Sequence, residues 1–82
     1  MDVLIAPAAQ RQYDALPILV QARVRAVFMR LKAWPRVSGA KPLRGDLAGF
    51  YRVRTGDYRV QFRTLPDAIE VTKVGHRDRF YD

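Results

Sequence analysis

Apolar residues recur at two different periods in the two halves of this 82-residue chain. In the first half, a short apolar run at residues 3–6 predicts a strand, and Pro7 suits the first position of a helix over residues 8–16. Pro17 then begins a second predicted helix, which continues to about residue 33. The apolar stripe of this second helix follows the 3.6-residue helical period and consists of Val20, Val24, Val27, Phe28 and Leu31.

The second half alternates with the two-residue period of β-strands. Residues 50–54 and 57–64 predict two strands joined by a tight turn at Thr55-Gly56, and residues 68–74 predict a third strand rich in β-branched residues. The chain therefore predicts a single α+β domain over residues 1–82. In this domain, two N-terminal helices pack on one face of an antiparallel β-sheet.

Alternation also predicts what the uncovered face of this sheet carries. If the apolar residues of the first two strands face the helices, their neighbours point away from them. Those neighbours are Arg52, Arg54, Arg59, Gln61 and Arg63. Like charges across adjacent strands destabilise a sheet by up to about 1 kcal/mol per pair, so this accumulation favours an anionic ligand. The alternative is a solvated face on which Glu70 pairs with one arginine, although one glutamate cannot neutralise four arginines.

The composition of the chain narrows the class of ligand and the expected cellular location. Fifteen lysines and arginines against eight acidic residues give a net charge of +7, a field that attracts polyanions and makes nucleic acid the leading ligand class. The absence of cysteine excludes disulfides and thiolate metal sites. No apolar run reaches the roughly 20 residues that span a bilayer, and the N-terminal residues lack a secretory signal. We expect a soluble, cytoplasmic protein that does not bind membranes.

Four motifs follow one another along the chain, namely Lys41-Pro42-Leu43-Arg44-Gly45, Phe50-Tyr51-Arg52-Val53-Arg54, Gly56-Asp57-Tyr58-Arg59-Val60 and Val74-Gly75-His76-Arg77-Asp78-Arg79-Phe80-Tyr81. In this order and spacing they resemble the motifs of RelE/ParE toxins over nearly the whole chain. The resemblance implies the RelE-like microbial ribonuclease-type fold and a toxin that a cognate antitoxin restrains. One branch of this superfamily cleaves messenger RNA, usually in the ribosomal A site. The ParE branch inhibits DNA gyrase and lacks the nuclease residues.

The resemblance to the ribonuclease branch also implies roles for individual residues. It implies catalytic roles for Arg59, His76, Arg77 and Tyr81, and contacts with RNA phosphates for Arg52 and Arg54. The predicted phosphate-binding set also includes Arg63 of the same sheet face, and Lys41 and Arg44 of the first motif. Well-known members of the branch have lysine at the positions of Arg52 and Arg54. Because a guanidinium group keeps its proton near neutral pH, it is a poor general base. We therefore expect these two arginines to bind phosphate and not to transfer protons.

The predicted chemistry needs neither a metal nor a cofactor. The eight carboxylates are scattered along the chain and His76 is its single histidine, so no ligand cluster is predicted. RNA supplies its own nucleophile, the 2′-hydroxyl, and the enzyme must orient it, stabilise the charge on phosphorus and move two protons. Arg59 and Arg77 suit charge stabilisation, and histidine is the side chain best suited to proton transfer near neutral pH. Tyr81 suits proton donation or base stacking, and the expected products carry 2′,3′-cyclic phosphate and 5′-hydroxyl ends.

Two other functions stay open at this point. The chain can be a ParE-like toxin that inhibits DNA gyrase without nuclease activity, or a catalytically inactive module that only binds an antitoxin. His76 can equally be a solvated residue that caps the sheet. In each case, a small core and a cationic face predict an acidic antitoxin segment that folds on binding and covers this face or the helices beside it.

Overall fold

A computed structural model describes residues 1–80 and places two helices on one face of a five-stranded sheet. The helices are α1 (Pro7–Asp14) and α2 (Ile18–Leu31). The strands are β1 (Asp2–Ile5), β2 (Lys41–Pro42), β3 (Phe50–Thr55), β4 (Tyr58–Thr64) and β5 (Ala68–His76), in the spatial order β1-β5-β4-β3-β2. The predicted α+β architecture is confirmed. Within residues 1–80, neither helix has the length and apolar character needed to cross a membrane.

The sheet is antiparallel except for one pair of strands. Strand β1 pairs in parallel with the first part of β5, whereas the other neighbouring strands pair in antiparallel fashion. Neither the position of β1 nor the two-residue strand β2 follows from the periodicity of the sequence. The predicted second helix was about two residues too long at its C-terminal end, and the predicted third strand was two residues too short, because β5 continues to His76.

The turn between β3 and β4 explains why the first two predicted strands form a hairpin. Thr55 pairs with Tyr58, so the loop consists of Gly56 and Asp57. Gly56 has a φ of 59°, and positive φ among the described residues is confined to glycines. This is the pattern of a type II′ turn, which requires glycine at its first central position and twists in the same sense as the strands. A tight hairpin turn was thus predicted correctly, but its position was predicted one residue too early, at Thr55-Gly56.

The core lies between the helices and one side of the sheet. Val24, Val27 and Leu31 of α2 are buried with residues of every long strand, including Val53, Val60, Phe62, Ile69 and Val71. Just beyond α2, the ring of Trp34 lies 4.7 Å from that of Tyr51 and 5.3 Å from that of Phe62 between centroids. Full burial of one such apolar side chain contributes roughly 1.5–3 kcal/mol to stability. The residues predicted to face the helices do so, and they hold α2 against β3 and β4.

Candidate nucleic-acid interface

The side of the β3–β4 hairpin that faces away from the helices carries the predicted arginines. Arg52 pairs with Gln61 and Arg54 pairs with Arg59, and residues paired in this way project on the same side of a sheet. Their neighbours Val53 and Val60 are buried on the other side, so the predicted alternation is confirmed. We define the arginine face as the side formed by Arg52, Arg54, Arg59 and Arg63 together with Lys73, which pairs with Gln61.

The acidic residues that the described strands place on this side of the sheet lie in one region. Nε of Arg63 donates to Oε1 of Glu70 at 2.7 Å, so the pairing of Glu70 with one arginine occurs as the sequence suggested. Among the described strand residues, Asp2 and Glu70 are the acidic ones on this side, and both lie toward β1. The end of the hairpin where Arg54 pairs with Arg59 is therefore the cationic end of the face, and an anion is attracted there.

A cleft of about 320 Å³ opens at the outer edge of β3, beside this cationic end, and is lined by Arg30, Ser38, Gly39, Lys41, Arg52, Val53 and Arg54. It exists because β2 is too short to cover β3: its pairs end at Arg52, which lies opposite Lys41. Three of the predicted phosphate-binding residues, Lys41, Arg52 and Arg54, thus meet in one cleft. Arg44 does not line it and is exposed before the 3-10 turn Gly45–Leu47.

Arg30 is a member of this cleft that sequence reasoning missed. It lies near the end of α2, and its guanidinium donates to the carbonyl oxygen of Ser38. The helical pattern assigned it only to the surface of α2, because helical periodicity does not show which strand edge lies near the end of a helix. Within the cleft it adds a fourth positive charge to those of Lys41, Arg52 and Arg54.

A β-bulge in β5 decides on which side of the sheet His76 projects. Gln61 pairs with Lys73 and Phe62 pairs with Val71, which leaves Thr72 as an extra residue on β5. Before the bulge, Glu70 lies on the same side of the sheet as the arginine face. After the bulge, Lys73 and Gly75 lie on that side. Plain alternation from Glu70 would put His76 on the arginine face, but one extra residue reverses the side of all that follow. His76 therefore projects on the side that the helices occupy.

Polar contacts hold the bulge in place. Nε2 of Gln61 donates to Oγ1 of Thr72 at 3.2 Å, and the same hydroxyl donates to the carbonyl oxygen of Gln61 at 3.3 Å. Gln61 is only 7% exposed, so these hydrogen bonds satisfy an amide that burial would otherwise penalise. Further along β5, the N–H of Val74 donates to Oε1 of Gln12 at 2.8 Å, which fixes the free edge of the strand to α1.

His76 lies against Tyr58 at the end of the sheet. The two residues pair across β4 and β5, and their rings meet edge to face with centroids 5.2 Å apart. Nδ1 of His76 accepts the N–H of Asp78 at 3.2 Å and lies 3.5 Å from Oδ2 of the same residue. This contact orients the ring and leaves Nε2 as the nitrogen on the opposite side. His76, Tyr58, Asp78 and Arg79 line an open cleft of about 360 Å³.

Arg77 belongs to the turn that follows β5. Its N–H donates to the carbonyl oxygen of Asp57 in the hairpin turn at 2.8 Å, and its Nε lies 3.7 Å and 3.9 Å from carboxylate oxygens of Asp78 and Asp57. Phe80, which is 1% exposed, anchors this turn, and Nζ of Lys73 lies 4.8 Å from the centre of its ring. Tyr81, the fourth predicted catalytic residue, lies outside the described residues.

The predicted catalytic residues are thus close in the sheet but divided between its two sides. We call a row of residues that pair across the strands a rung. The rung that contains Arg54 and Arg59 is next to the rung that contains Thr55, Tyr58 and His76. Arg59 and His76 point in opposite directions from these adjacent rungs. Within residues 1–80, no group of three or more histidine, aspartate or glutamate side chains is arranged to hold a metal ion.

The sequence model for the ParE toxin of the type II toxin-antitoxin system parDE matches residues 3–81. The chain belongs to the ParE toxin family. A chain of the RelBE2 toxin-antitoxin complex of Mycobacterium tuberculosis is 32% identical, with 93% of this chain and 90% of that chain covered and a TM-score of 0.81. A chain of the RelE–RelB complex of Pyrococcus horikoshii is 27% identical, with 95% and 96% covered and a TM-score of 0.72. No curated protein matches the chain.

The isolated RelE toxin of Escherichia coli has the same fold, with a TM-score of 0.79 at 20% identity over 95% of this chain and 85% of that chain. Because the ParE family model matches residues 3–81, the chain is a type II toxin of the RelE/ParE superfamily. In this ParE-family toxin, the four motifs of the sequence meet around the β3–β4 hairpin. The first contributes Lys41 to the cleft, the second forms β3, the third forms the turn and the start of β4, and the last contains the end of β5.

Proposed function

We propose that this toxin cleaves messenger RNA without a metal ion, on ribosomes in the cytoplasm, and so inhibits translation and growth. The observation that carries the proposal is the pairing of Arg54 with Arg59 on the side of adjacent strands that faces away from the helices. Like charges in this position destabilise a strand pair, and an RNA phosphate bound between them offsets that cost. The guanidinium groups are suited to this role because their planar donors match phosphate oxygens.

The path of the RNA follows from the charges around this pair. The scissile phosphate binds Arg54 and Arg59, and the backbone on one side of it continues into the cleft with Lys41 and Arg52. The 2′-hydroxyl attacks phosphorus and the 5′-oxygen leaves, which gives a 2′,3′-cyclic phosphate and a 5′-hydroxyl. The arginines stabilise the negative charge that grows on the phosphate oxygens, the contribution that is usually largest in such reactions.

The position of His76 adds a constraint to this mechanism. His76 and Arg59 lie on adjacent rungs and on opposite sides of the sheet, so a nucleotide that uses both must lie across the end of the sheet, beyond Tyr58. There, Nε2 of His76 transfers one of the two protons, and the contacts of Nδ1 with Asp78 fix the ring for that transfer. Arg77, on the turn at the same end, adds a second positive charge to the transition state.

An antitoxin is the proposed partner of the toxin. Chains of RelE–RelB complexes from M. tuberculosis and P. horikoshii are similar to the toxin in structure. In both comparisons, at least nine tenths of each of the two compared chains is covered. A net charge of +7 favours an acidic partner. We therefore propose a cognate antitoxin with an acidic segment that folds as it binds.

Induction of the toxin without its antitoxin tests the nuclease proposal. Transcripts are collected within minutes of induction and their 5′ ends are mapped, with the His76→Gln variant alongside the wild type. The proposal expects growth arrest together with new internal 5′-hydroxyl ends, and far fewer of these ends with His76→Gln. Growth arrest with intact transcripts contradicts it.

Inhibition of DNA gyrase is the second candidate function. It is favoured by the match to the ParE family model and by the projection of His76 away from the arginine face. Purified toxin is added to gyrase and relaxed plasmid, and supercoiling is followed on a gel. Loss of supercoiling by a toxin that leaves RNA intact supports this function. A toxin that does neither and still binds its antitoxin is the inactive module.

A further inference from the structure

A groove opens where the end of the sheet meets the corner between α1 and α2. One part of it, about 360 Å³ in volume, lies beside Tyr58 and His76. A second part, about 390 Å³, shares Tyr58, His76 and Arg79 with the first and reaches the corner, where Leu16 and Pro17 line it. We define the end groove as these two parts together. Each part has the volume of a site for a small ligand.

The walls of the end groove suit a flat aromatic ring. On one wall, the half-buried rings of Tyr58 and His76 meet edge to face. The other wall, at the corner of the two helices, is formed by the apolar side chains of Leu16 and Pro17. Gln12 of α1 binds the backbone of β5 and so fixes one wall relative to the other. An unstacked nucleobase is the flat ring that aromatic side chains hold in proteins that bind single-stranded RNA.

Helix α2 brings a positive charge to the same end of the sheet. Nη1 of Arg23 lies 3.3 Å from the position that a Cβ atom on Gly56 would take, so its guanidinium reaches the hairpin turn. Arg79 lines both parts of the end groove, and both arginines are exposed. The helical pattern of the sequence assigned Arg23 only to the surface of α2. In the fold it lies at the hairpin turn, next to the rung that contains Tyr58 and His76.

The acidic side chains at this end of the sheet lie against a different arginine. Nε of Arg77 is 3.9 Å from Oδ1 of Asp57 and 3.7 Å from Oδ1 of Asp78. Arg23 and Arg79 take no part in these two contacts. Three arginines and two aspartates therefore leave this end of the sheet positively charged, and it attracts an anion.

The end groove begins where the arginine face ends. The rung that contains Arg54 and Arg59 is next to the rung that contains Tyr58 and His76. Neighbouring residues of a strand are about 3.3 Å apart. A nucleotide attached to a phosphate between the two arginines is therefore within reach of the end groove.

We propose that the end groove binds the base of a nucleotide next to the scissile phosphate, and that Arg23 and Arg79 bind the phosphate beyond that base. The proposal rests on the proposed cleavage of RNA and adds a base subsite and a direction for the strand. From the arginine face, the RNA passes over the end of the sheet to the side that the helices occupy. The base lies between the aromatic wall at Tyr58 and the apolar wall at Pro17, and its phosphate meets the planar donors of the arginines.

A peptide strand that adds to the edge of β5 is the main alternative occupant. Strand β1 pairs with β5 only as far as Val71, and an open edge attracts such strands. However, the outward groups beyond this point are already used. The N–H of Val74 donates to Gln12, and the carbonyl oxygen of His76 accepts the N–H of Arg79 at 3.0 Å. A second copy of the toxin would bring its own positive charge against that of the groove, which is unfavourable.

Four variants separate the base from the phosphate. Tyr58→Leu removes an aromatic surface from the end groove and keeps an apolar one, whereas Tyr58→Phe keeps the ring. Arg23→Ala removes the charge at the hairpin turn. Arg25→Ala is its matched control, because this exposed arginine of the same helix is two residues further on and projects from nearly the opposite side. Circular dichroism checks that each variant is folded.

Binding is measured with two short fluorescent RNAs of equal length whose 2′-O-methyl groups prevent cleavage. One is an oligoadenylate, and the other has the same backbone without bases. We expect the wild type to bind the oligoadenylate about tenfold more tightly, as for one stacked base. Tyr58→Phe keeps this ratio and Tyr58→Leu lowers it severalfold. Arg23→Ala weakens the binding of both RNAs and lowers the slope of log Kd against log salt by about one, whereas Arg25→Ala leaves the slope unchanged.

Two outcomes overturn the inference. If a folded Tyr58→Leu toxin keeps the full ratio between the two RNAs, the base lies elsewhere. If Tyr58→Leu and Arg23→Ala bind both RNAs normally but escape neutralisation by the antitoxin, the end groove binds a protein partner instead. The proposed function fails separately, when growth arrest occurs with intact transcripts, because neither RNA probe needs to be cleaved for the Kd ratio to be measured. A wild-type toxin that binds neither RNA contradicts both.

Discussion

The two sides of the β3–β4 hairpin are built from alternate residues of the same strands and differ in nearly every physical property. Val53 and Val60 face the helices and are 1% and 0% exposed, and burial of such side chains is the main source of stability. On the other side, Arg54 and Arg59 lie opposite each other, a pairing that opposes folding. The comparison shows that one side of the hairpin stabilises the fold and the other side concentrates positive charge.

Strand β5 modifies this division at one position. The extra residue Thr72 moves Lys73 onto the arginine face and His76 off it. A bulge is a common way to re-aim a side chain near a functional site, because a single additional residue changes the side of everything after it. Arg54 and Arg59 thus reach the same end of the sheet as His76, but from the opposite side.

The largest effect on stability is expected on the helix-covered side. Phe62 is fully buried and packs against Trp34 and Tyr51, so Phe62→Ala removes ring contacts and leaves a cavity. We expect the free energy of unfolding to fall by about 3–5 kcal/mol in urea denaturation. Thr64→Ala, at an exposed position of the same strand, is the control and should change it by less than about 0.5 kcal/mol. Equal effects of the two substitutions would show that the burial of Phe62 is not what stabilises this side of the hairpin.

The opposite side is expected to control activity. Arg59→Ala removes a charge that is already in position when the phosphate becomes more negative, and we expect the rate of RNA cleavage to fall by about 10²–10³. Stability should change by less than about 1 kcal/mol. The control is Arg11→Ala, which removes an exposed arginine from α1. If the Arg59→Ala toxin is folded and as toxic as the wild type, Arg59 is not the central residue of the proposed mechanism.

The bulge is expected to have an intermediate effect. Thr72→Val keeps the shape of the side chain but removes the hydroxyl that bonds both the amide and the carbonyl of Gln61. Since Gln61 is buried, an unsatisfied amide should lower the free energy of unfolding by about 1–3 kcal/mol. Thr72→Ser retains the hydroxyl and should lose much less. If serine and valine destabilise the toxin equally, these hydrogen bonds do not hold the bulge.

The smallest effect is expected for the ion pair between Arg63 and Glu70. Its side chains are 45% and 24% exposed, and an exposed pair contributes roughly 0.2–1 kcal/mol, less as salt screens it. Glu70→Gln should therefore lower stability by less than about 1 kcal/mol at low salt, and the difference from wild type should shrink in 1 M salt. A larger loss that persists in salt would mean that this corner of the arginine face contributes to packing.

The elements with strong local patterns could be predicted from the sequence. Helix α2 and the hairpin follow from the period of Val20, Val24 and Val27 and from the alternation between Tyr51 and Phe62, since each pattern lies within one element. The parallel pairing of β1 with β5 could not be predicted, because the partners are more than 60 residues apart and local periodicity contains no information about them. Strand β2 is too short to produce a pattern.

The arginines of the candidate site could be predicted from the sequence, but the geometry of the site could not. Arg52, Arg54 and Arg59 follow from strict alternation, which the β3–β4 pairing maintains. The side of His76 depends on the bulge, and a bulge is defined only against the partner strand. The sequence contains one relevant signal: Val74 is apolar but lies three residues after Val71, out of phase with Ile69 and Val71. Arg30 joins the site through tertiary contacts that no local pattern describes.

The central claim is that RNA binds the arginine face, and a nuclear magnetic resonance titration tests it most directly. A short single-stranded RNA with 2′-O-methyl groups cannot be cleaved and is added to isotope-labelled wild-type toxin. We predict that the largest amide shift changes fall at residues 52–54 and 59–61 and at the edge of the cleft near Lys41, and that they weaken as salt is raised. Changes confined to α1 and α2, with β3 and β4 unaffected, would contradict the account.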